Sequence, residues 1–250
     1  MRKYQIKKDN NFFSRFEFKY ILKKSLSSLI KNEVKHFMHQ DKFTKDNDYY
    51  LVRSLYFDNQ ECSNFNEKID GLKNRHKFRI RTYSEKKKNN VPVFLEMKGR
   101  NNLRTFKNRT KIINDDLLLF YNNQNLFNLK KKYTNDNLVD SFIFDVYKKK
   151  ISPMVLIDYN RLPLESKNGV YFRLTFDSDI KACKSDSIYG TDNSWNLCLP
   201  GYEILEVKFD FTMPPWFHRI IQNYQLKRLS VSKFVLGFEA TKLAYDYEGR

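Results

Sequence analysis

Residues 93–100 read Val93-Phe-Leu-Glu-Met-Lys-Gly-Arg100, and residues 203–211 read Glu203-Ile-Leu-Glu-Val-Lys-Phe-Asp-Phe211. Each sets an acid and then a base inside an apolar run, as Leu95-Glu96-Met97-Lys98 and Leu205-Glu206-Val207-Lys208. Alternation at period two marks a strand whose two faces meet different surroundings. One such strand is equally an ordinary half-buried sheet with a wet face. A solvent face, however, has no reason to repeat the same acid–base pair, and an enclosed charged face does.

The same alternation recurs along the chain. Phe13 to Tyr20 puts Arg15, Glu17 and Lys19 on one face, Arg75 to Tyr83 does so for Lys77, Arg79 and Arg81, and Arg104 to Ile112 for Lys107, Arg109 and Lys111. Met154 to Leu164 carries Arg161, Tyr171 to Asp177 carries Arg173 with Asp177, and Glu203 to Phe211 carries Glu206 with Lys208. With Tyr50 to Asp58 the set comes to about eight strands, which suits a small closed barrel. Helical spacing of apolar residues appears in Lys23 to Phe37, Asn114 to Lys132 and Leu138 to Lys150, and Pro214-Pro215 opens a further helix to about Leu226. The expected fold is α+β: an antiparallel closed β-barrel enclosing a polar tunnel, with helices packed on its outside. Glu85 to Asn90 and Lys184 to Asn196 read as polar connections, and no linker divides the chain, so residues 1–250 are expected to form one domain.

Of 250 residues, 46 are Lys or Arg and 29 Asp or Glu, a formal net charge of +17 that calls for a polyanionic partner. Nucleic-acid binding predicts basic residues on an exposed face among stacking aromatics. Here the bases lie opposite apolar residues, which favours a phosphate-rich small molecule or polymer and excludes nucleic acid as the expected partner. Cys62, Cys183 and Cys198 offer neither a disulfide framework nor a zinc pattern. The charged N-terminus is not a secretory signal, and no apolar run is long enough to span a membrane. The expectation is a cytoplasmic protein, and the predicted helices and missing signal set aside an outer-membrane barrel.

Eight short motifs occur in order: Arg15-Phe-Glu-Phe-Lys19-Tyr20, Ser54-Leu-Tyr-Phe-Asp58, Arg79-Ile-Arg81-Thr-Tyr83, Phe94-Leu-Glu-Met-Lys98, Tyr159-Asn-Arg161, Arg173-Leu-Thr-Phe-Asp177, Ile204-Leu-Glu-Val-Lys208 and Ser232-Lys233-Phe234. Together, over about residues 12–245, they resemble the VTC domain, the polyphosphate polymerase domain of the vacuolar transporter chaperone complex, within the triphosphate tunnel metalloenzyme or CYTH-like superfamily. The resemblance implies ATP as phosphoryl donor, inorganic polyphosphate as acceptor and product, and Mn²⁺ or Mg²⁺ as cofactor. It implies phosphate-binding roles for Lys19, Arg79, Arg81, Lys98, Arg161, Arg173 and Lys233, and a metal-binding role for Glu206. Lys107 and Arg109 match a further basic pair, although their distance from Lys98 leaves the strand register open. Arg15 and Lys208 are added as phosphate-binding candidates, and Glu17 and Glu96 as metal ligands or charge partners.

One departure is informative. Tunnel hydrolases and the related adenylyl cyclases open with Glu-x-Glu-x-Lys, whereas the first of those positions is here Arg15. That favours the polymerase branch; without the N-terminal regulatory domain and C-terminal membrane helices of the eukaryotic complex, the chain resembles the stand-alone bacterial type, and coupled export through a membrane is expected to need a partner. Competing expectations are a tunnel phosphohydrolase acting on tripolyphosphate or a nucleoside triphosphate, and a non-catalytic polyphosphate or inositol-phosphate binding module. Arg suits bidentate phosphate clamping and Lys serves as a point charge, while an acid such as Glu206 holds a hard cation that bridges phosphates. Glu206 could instead form an internal salt bridge. His36 and His39 read as surface residues, Lys86-Lys87-Lys88 as a solvated hairpin tip, Trp216 as a core anchor, and Trp195 as a loop residue able to cover the tunnel mouth. Tyr56 and Asp58 read as structural.

Overall fold

The computed structural model describes residues 16–41, 44, 49–102, 104–122, 125–190 and 194–244, residue 104 in its backbone only. Its strands are β1 (Phe16–Lys23), β2 (Met38–Gln40), β3 (Tyr50–Asp58), β4 (Asn74–Thr82), β5 (Val93–Asn101), β6 (Arg104–Ile112), β7 (Ser152–Ser166), β8 (Phe172–Lys184), β9 (Asn196–Leu197) and β10 (Tyr202–Phe209). Its α-helices are α1 (Lys24–Val34), α2 (Ser63–Ile69), α3 (Leu117–Tyr121), α4 (Leu126–Lys132), α5 (Asn137–Lys149), α6 (Pro215–Asn223) and α7 (Lys233–Ala240). Asn114–Asp116 form a short 3₁₀ turn.

The strands make one antiparallel sheet in the order β1-β10-β8-β7-β3-β4-β5-β6, with β2 beside β7 and β9 beside β8. The eight strands expected from alternation are therefore all present, but the barrel is not closed: among the described residues no ladder joins β1 to β6. The sheet instead curls, and Lys98 of β5 reaches Glu17 of β1 at 3.4 Å.

Register puts the predicted charged faces on the same side. Lys19 pairs with Glu206, Glu206 with Thr175, Arg161 with Asp177, Arg79 with Glu96, and Lys98 with Lys107. On the convex side α3, α4 and α5 cover β4 and β5 through Phe120, Leu129 and Phe142 on Phe78 and Leu95. Helices α1 and α6 cover β1, β8 and β10 through Ile30, Val34 and Phe217 on Leu174 and Val207. The Asp136 side chain caps α5 by accepting from the Leu138 and Val139 N–H groups, and Pro215 starts α6.

One helix departs from the expected arrangement. Phe234 and Phe238 of α7 pack with Val52, Tyr56, Val155, Ile157, Ile180 and Ala182, which lie on the same sheet face as the charges. Helix α7 therefore fills the aliphatic part of the concave face and leaves the charged part open. Gly237 permits the approach, since a Cβ there would meet Ile157 Cδ1 at 2.5 Å. Asp58 has the structural role expected of it: its carboxylate accepts from the backbone N–H groups of Asn59, Asn64 and Phe65 and so fixes the start of α2. Burial pushes that carboxyl up to about 6 despite the three N–H donors.

His36, His39 and Lys86–Lys88 are exposed, as expected. Trp216 anchors its helix, stacked on Phe37 at 4.4 Å and edge-on to Phe172. Trp195 does not cover the tunnel. It lies on the convex side over Arg53 and Lys181, where Arg53 and Asp158 form a buried pair at 2.7 Å.

Candidate functional site

The open part of the concave face is a cavity of about 600 Å³ lined by residues of β1, β3, β4, β5, β6, β7, β10, α2, α7 and the segment 228–232. Alternation delivers most of the strand residues there: with side chains pointing to opposite faces in turn, Arg79 and Arg81 must share a face, as must Glu96 and Lys98, while His76, Gly99 and Phe106 reach it from positions of the opposite parity. Lys233 arrives at the first position of α7.

Its charges are organised around carboxylates. Glu206 is approached by Lys233 at 3.0 Å, Arg161 at 3.5 Å, Lys208 at 3.6 Å and Lys19 at 3.8 Å. Asp177, beneath it, takes Arg161 at 2.6 Å and Lys233 at 2.5 Å. Burial alone would raise the Glu206 carboxyl, but Lys233, Lys19, Arg161 and Lys208 outweigh it and hold the group well below the usual carboxylate range. Lys233 and Arg161, although desolvated, are held above their ordinary values by the same acids.

On the opposite wall Glu96 is fully buried and bound by Arg79 at 2.6 Å and Arg81 at 3.6 Å. Lys107 lies 2.6 Å from Glu96 Oε1, close enough for an ion pair but outside hydrogen-bond geometry. Burial would raise Glu96, yet these cations keep it ionised to unusually low pH. Lys107 is pushed down to about 8, desolvation prevailing over Glu96. Between the walls Glu17 meets Lys19 at 3.1 Å and Lys98 at 3.4 Å, and despite burial its carboxyl falls to about 2 through Lys98 and Lys19.

The cavity thus gathers Lys19, Arg79, Arg81, Lys98, Lys107, Arg161, Lys208, Lys233, Glu17 and Glu206. Four expected residues stand apart, Glu96 among them, since it is fully buried and does not itself line the cavity. Arg173 shares the face but is bound to Asp41 at 2.7 Å and Glu165 at 3.1 Å and does not line the cavity. Arg109 pairs with Glu96 in register, yet its exposed side chain lies over the Phe94 ring at 4.6 Å. Arg15 lies outside the described residues.

Side chains that were not named as site residues also line the cavity. Tyr56 OH accepts from Arg79 at 2.8 Å, and Tyr159 OH accepts from Arg81 at 3.3 Å while its ring underlies Lys233 at 4.8 Å. Burial raises the Tyr56 phenol, but Arg79 and Arg81 bring it below its ordinary value. Lys77 also lines the cavity. Both tyrosines fall on the period-two face of the charges, the one signal that could have found them.

Among the described residues no three of His, Cys, Asp or Glu gather as a ready-made metal cage. The donor set fits a hard cation that arrives with phosphate, since such ions are commonly held by one or two carboxylates plus substrate oxygens. Glu206 and Glu17, on either side of Lys19, suit that role. Glu96 does not, because Arg79 and Lys107 already occupy both of its oxygens at 2.6 Å.

A family model described as the VTC domain matches residues 14–242. Among solved structures, one described as "a putative adenylate cyclase" from Bacillus halodurans superposes with a TM-score of 0.51 at 11% identity, covering 88% of this chain and 95% of that one. A protein from Pyrococcus horikoshii OT3 gives a TM-score of 0.45 at 12% identity, covering 90% and 98%. No curated protein matches. Among the described residues no helix is long and apolar enough to cross a membrane.

Proposed function

Because the chain belongs to the VTC domain family, we propose that it is a polyphosphate polymerase that transfers the γ-phosphate of ATP to a growing polyphosphate chain in the cytoplasm. The observation that supports this reading is the convergence of Lys19, Arg79, Arg81, Lys98, Arg161 and Lys233 on one cavity. Phosphoryl transfer needs donor and acceptor held in line and the developing charge neutralised; it needs no protein nucleophile.

Arg79, Arg81 and Arg161 clamp equatorial phosphoryl oxygens, and Lys19, Lys98 and Lys233 balance the remaining charge. A terminal oxygen of the acceptor chain attacks Pγ, the bond from Pγ to its bridging oxygen breaks, and ADP leaves with that electron pair. Mn²⁺ or Mg²⁺, held by Glu206 with Glu17, supplies additional charge neutralisation when bound. Tyr56 and Tyr159 fix the Arg79 and Arg81 guanidiniums and so limit the reorganisation required at the moment of transfer.

The test is incubation with γ-labelled ATP and Mn²⁺, products resolved on a gel, beside Lys19→Ala and Glu206→Gln. A ladder of long polyphosphate, lost in both variants, is expected. Orthophosphate without a ladder would identify a phosphohydrolase, and tight polyphosphate binding without turnover a binding module.

A further inference from the structure

The convex side carries a feature that the cavity does not use. Helices α4 and α5 send Leu126, Leu129, Phe142 and Val146 into the core, yet Phe127, Phe144 and Tyr147 stand outward, 79%, 58% and 63% exposed. Core packing therefore does not account for them. Lys130 of α4 pairs with Asp140 of α5, which sets the two helices side by side across the short connection 133–136. Phe127 lies one turn before Lys130 and Phe144 one turn after Asp140, so in this antiparallel pair both rings lie beyond the ion pair in the same direction, away from the connection. Tyr147 continues the stripe one turn past Phe144.

The charges left free around these rings have one sign. Lys131 follows Phe127 at the fourth position and Lys148 follows Phe144 likewise, its Nζ 5.4 Å from the centre of that ring. Because the helices run in opposite directions, the two lysines stand at opposite ends of the aromatic stripe, and Lys150 adds a third charge beside Lys148. Among the described residues none of the three forms an ion pair. Every acid in 117–150 is already engaged: Asp140 by Lys130, Asp145 by His76, and Asp136 in capping α5. Whatever covers this face must be apolar and anionic at once. An anionic bilayer surface is both, its acyl chains lying just beneath a plane of negative headgroups. The long lysine stem lets each ammonium reach the headgroups while the ring one turn away sits deeper. Rings that stand out singly suit such a fluid acceptor better than a shaped protein groove.

We propose that the α4–α5 pair is a docking face for an anionic lipid bilayer, with Phe127, Phe144 and Tyr147 entering the acyl boundary and Lys131, Lys148 and Lys150 meeting the headgroups. The contact is peripheral and reversible, since it is made by a few rings and charges and needs no membrane-spanning helix. The face lies on the convex side of the sheet and the cavity on the concave side, so a docked molecule keeps its cavity open to solution. The inference is independent of what the cavity binds.

The experiment is co-sedimentation of the full chain with vesicles of phosphatidylcholine, alone or mixed with phosphatidylserine at about three to one, in about 0.15 M salt. Wild-type protein is expected to pellet with the mixed vesicles and to stay in solution with the neutral ones. Phe127→Ser and Phe144→Ser should each lose about tenfold in partitioning, and Lys148→Gln about fivefold. Their melting temperatures should stay close to that of the wild type, because all three side chains are exposed. Lys227→Gln removes the same charge from the exposed segment after α6 and should stay within about twofold. Phe variants that pellet like the wild type would show that net charge alone attracts the protein and would overturn the proposal, as would a Lys227→Gln loss equal to that of Lys148→Gln. Wild-type protein that pellets with neither kind of vesicle would overturn it in favour of an acidic protein surface.

Discussion

Glu206 is held by four cations, so replacing it with Gln removes a metal-binding acid and also the partner of Lys233, Arg161, Lys208 and Lys19. Breaking a buried ion pair from one side costs about 3 kcal/mol. Asp177 still holds Arg161 and Lys233, and Glu17 still holds Lys19, so Glu206→Gln is expected to fold with a lowered melting temperature and to lose turnover by about a hundredfold. Thermal denaturation with and without tripolyphosphate checks it, because the added anion replaces part of the missing charge; an unchanged melting temperature would show that Glu206 balances little. Lys107 sets a pH limb. Its folded-state pKa of about 8 lies below the ordinary 10.5, so between those values the unfolded chain binds the extra proton and this group's contribution to stability rises with pH. For binding the sign is opposite: the anion favours charged Lys107, so tripolyphosphate affinity should fall as pH rises through about 8. Phosphate titrates near 6, so Lys107→Met should flatten that limb, and a limb that persists would place the titration elsewhere.

Helix α7 connects packing to chemistry, since it carries Lys233 at one end and Gly237 against the sheet. A methyl at Gly237 would lie 2.5 Å from Ile157 Cδ1 and 3.2 Å from Val155 Cγ1, and both residues are fully buried. Gly237→Ala should therefore cost about 1–3 kcal/mol and lower turnover by moving Lys233; an unchanged melting temperature would mean that the helix is loosely seated. The strands were legible in the sequence wherever alternation is unbroken: Tyr50–Asp58 and Arg104–Ile112 have the expected bounds. The strand read as Tyr171 to Asp177 runs on to Lys184, because a bulge with Asp179 at φ 51° reverses which residues face inward and so breaks the pattern. The helix read over Asn114 to Lys132 is instead a 3₁₀ turn and two helices. Helix α2 is too short for a 3.6-residue period to show, and α7 hides its inward face in a nearly continuous apolar run. Closure and strand order were not legible, being fixed by contacts far apart in sequence. Most of the cavity was, because period two alone assigns its face, and the tyrosines were lost only because an aromatic reads as core.

Across the whole molecule, a net charge of +17 with a large share facing one cavity opposes compaction, and a bound anion relieves it. Tripolyphosphate at about a hundred times its dissociation constant adds about 2.7 kcal/mol, which for a chain of this size raises the melting temperature by roughly 5–10 °C. Sulfate at the same concentration should do much less, and equal shifts would mean that the cavity senses charge without sensing chain length. The sharing of four carboxylates among the eight central cations has a further thermodynamic consequence. A polyanion meeting free lysines expels mobile salt ions, and their gain in entropy makes affinity fall steeply with ionic strength. Glu17, Glu96, Glu206 and Asp177 are counterions bonded to the chain, so displacing them releases nothing to the bulk. Logarithmic plots of affinity against salt should accordingly be shallow for a ligand confined to the centre, so that the core behaves as a pre-loaded ion exchanger.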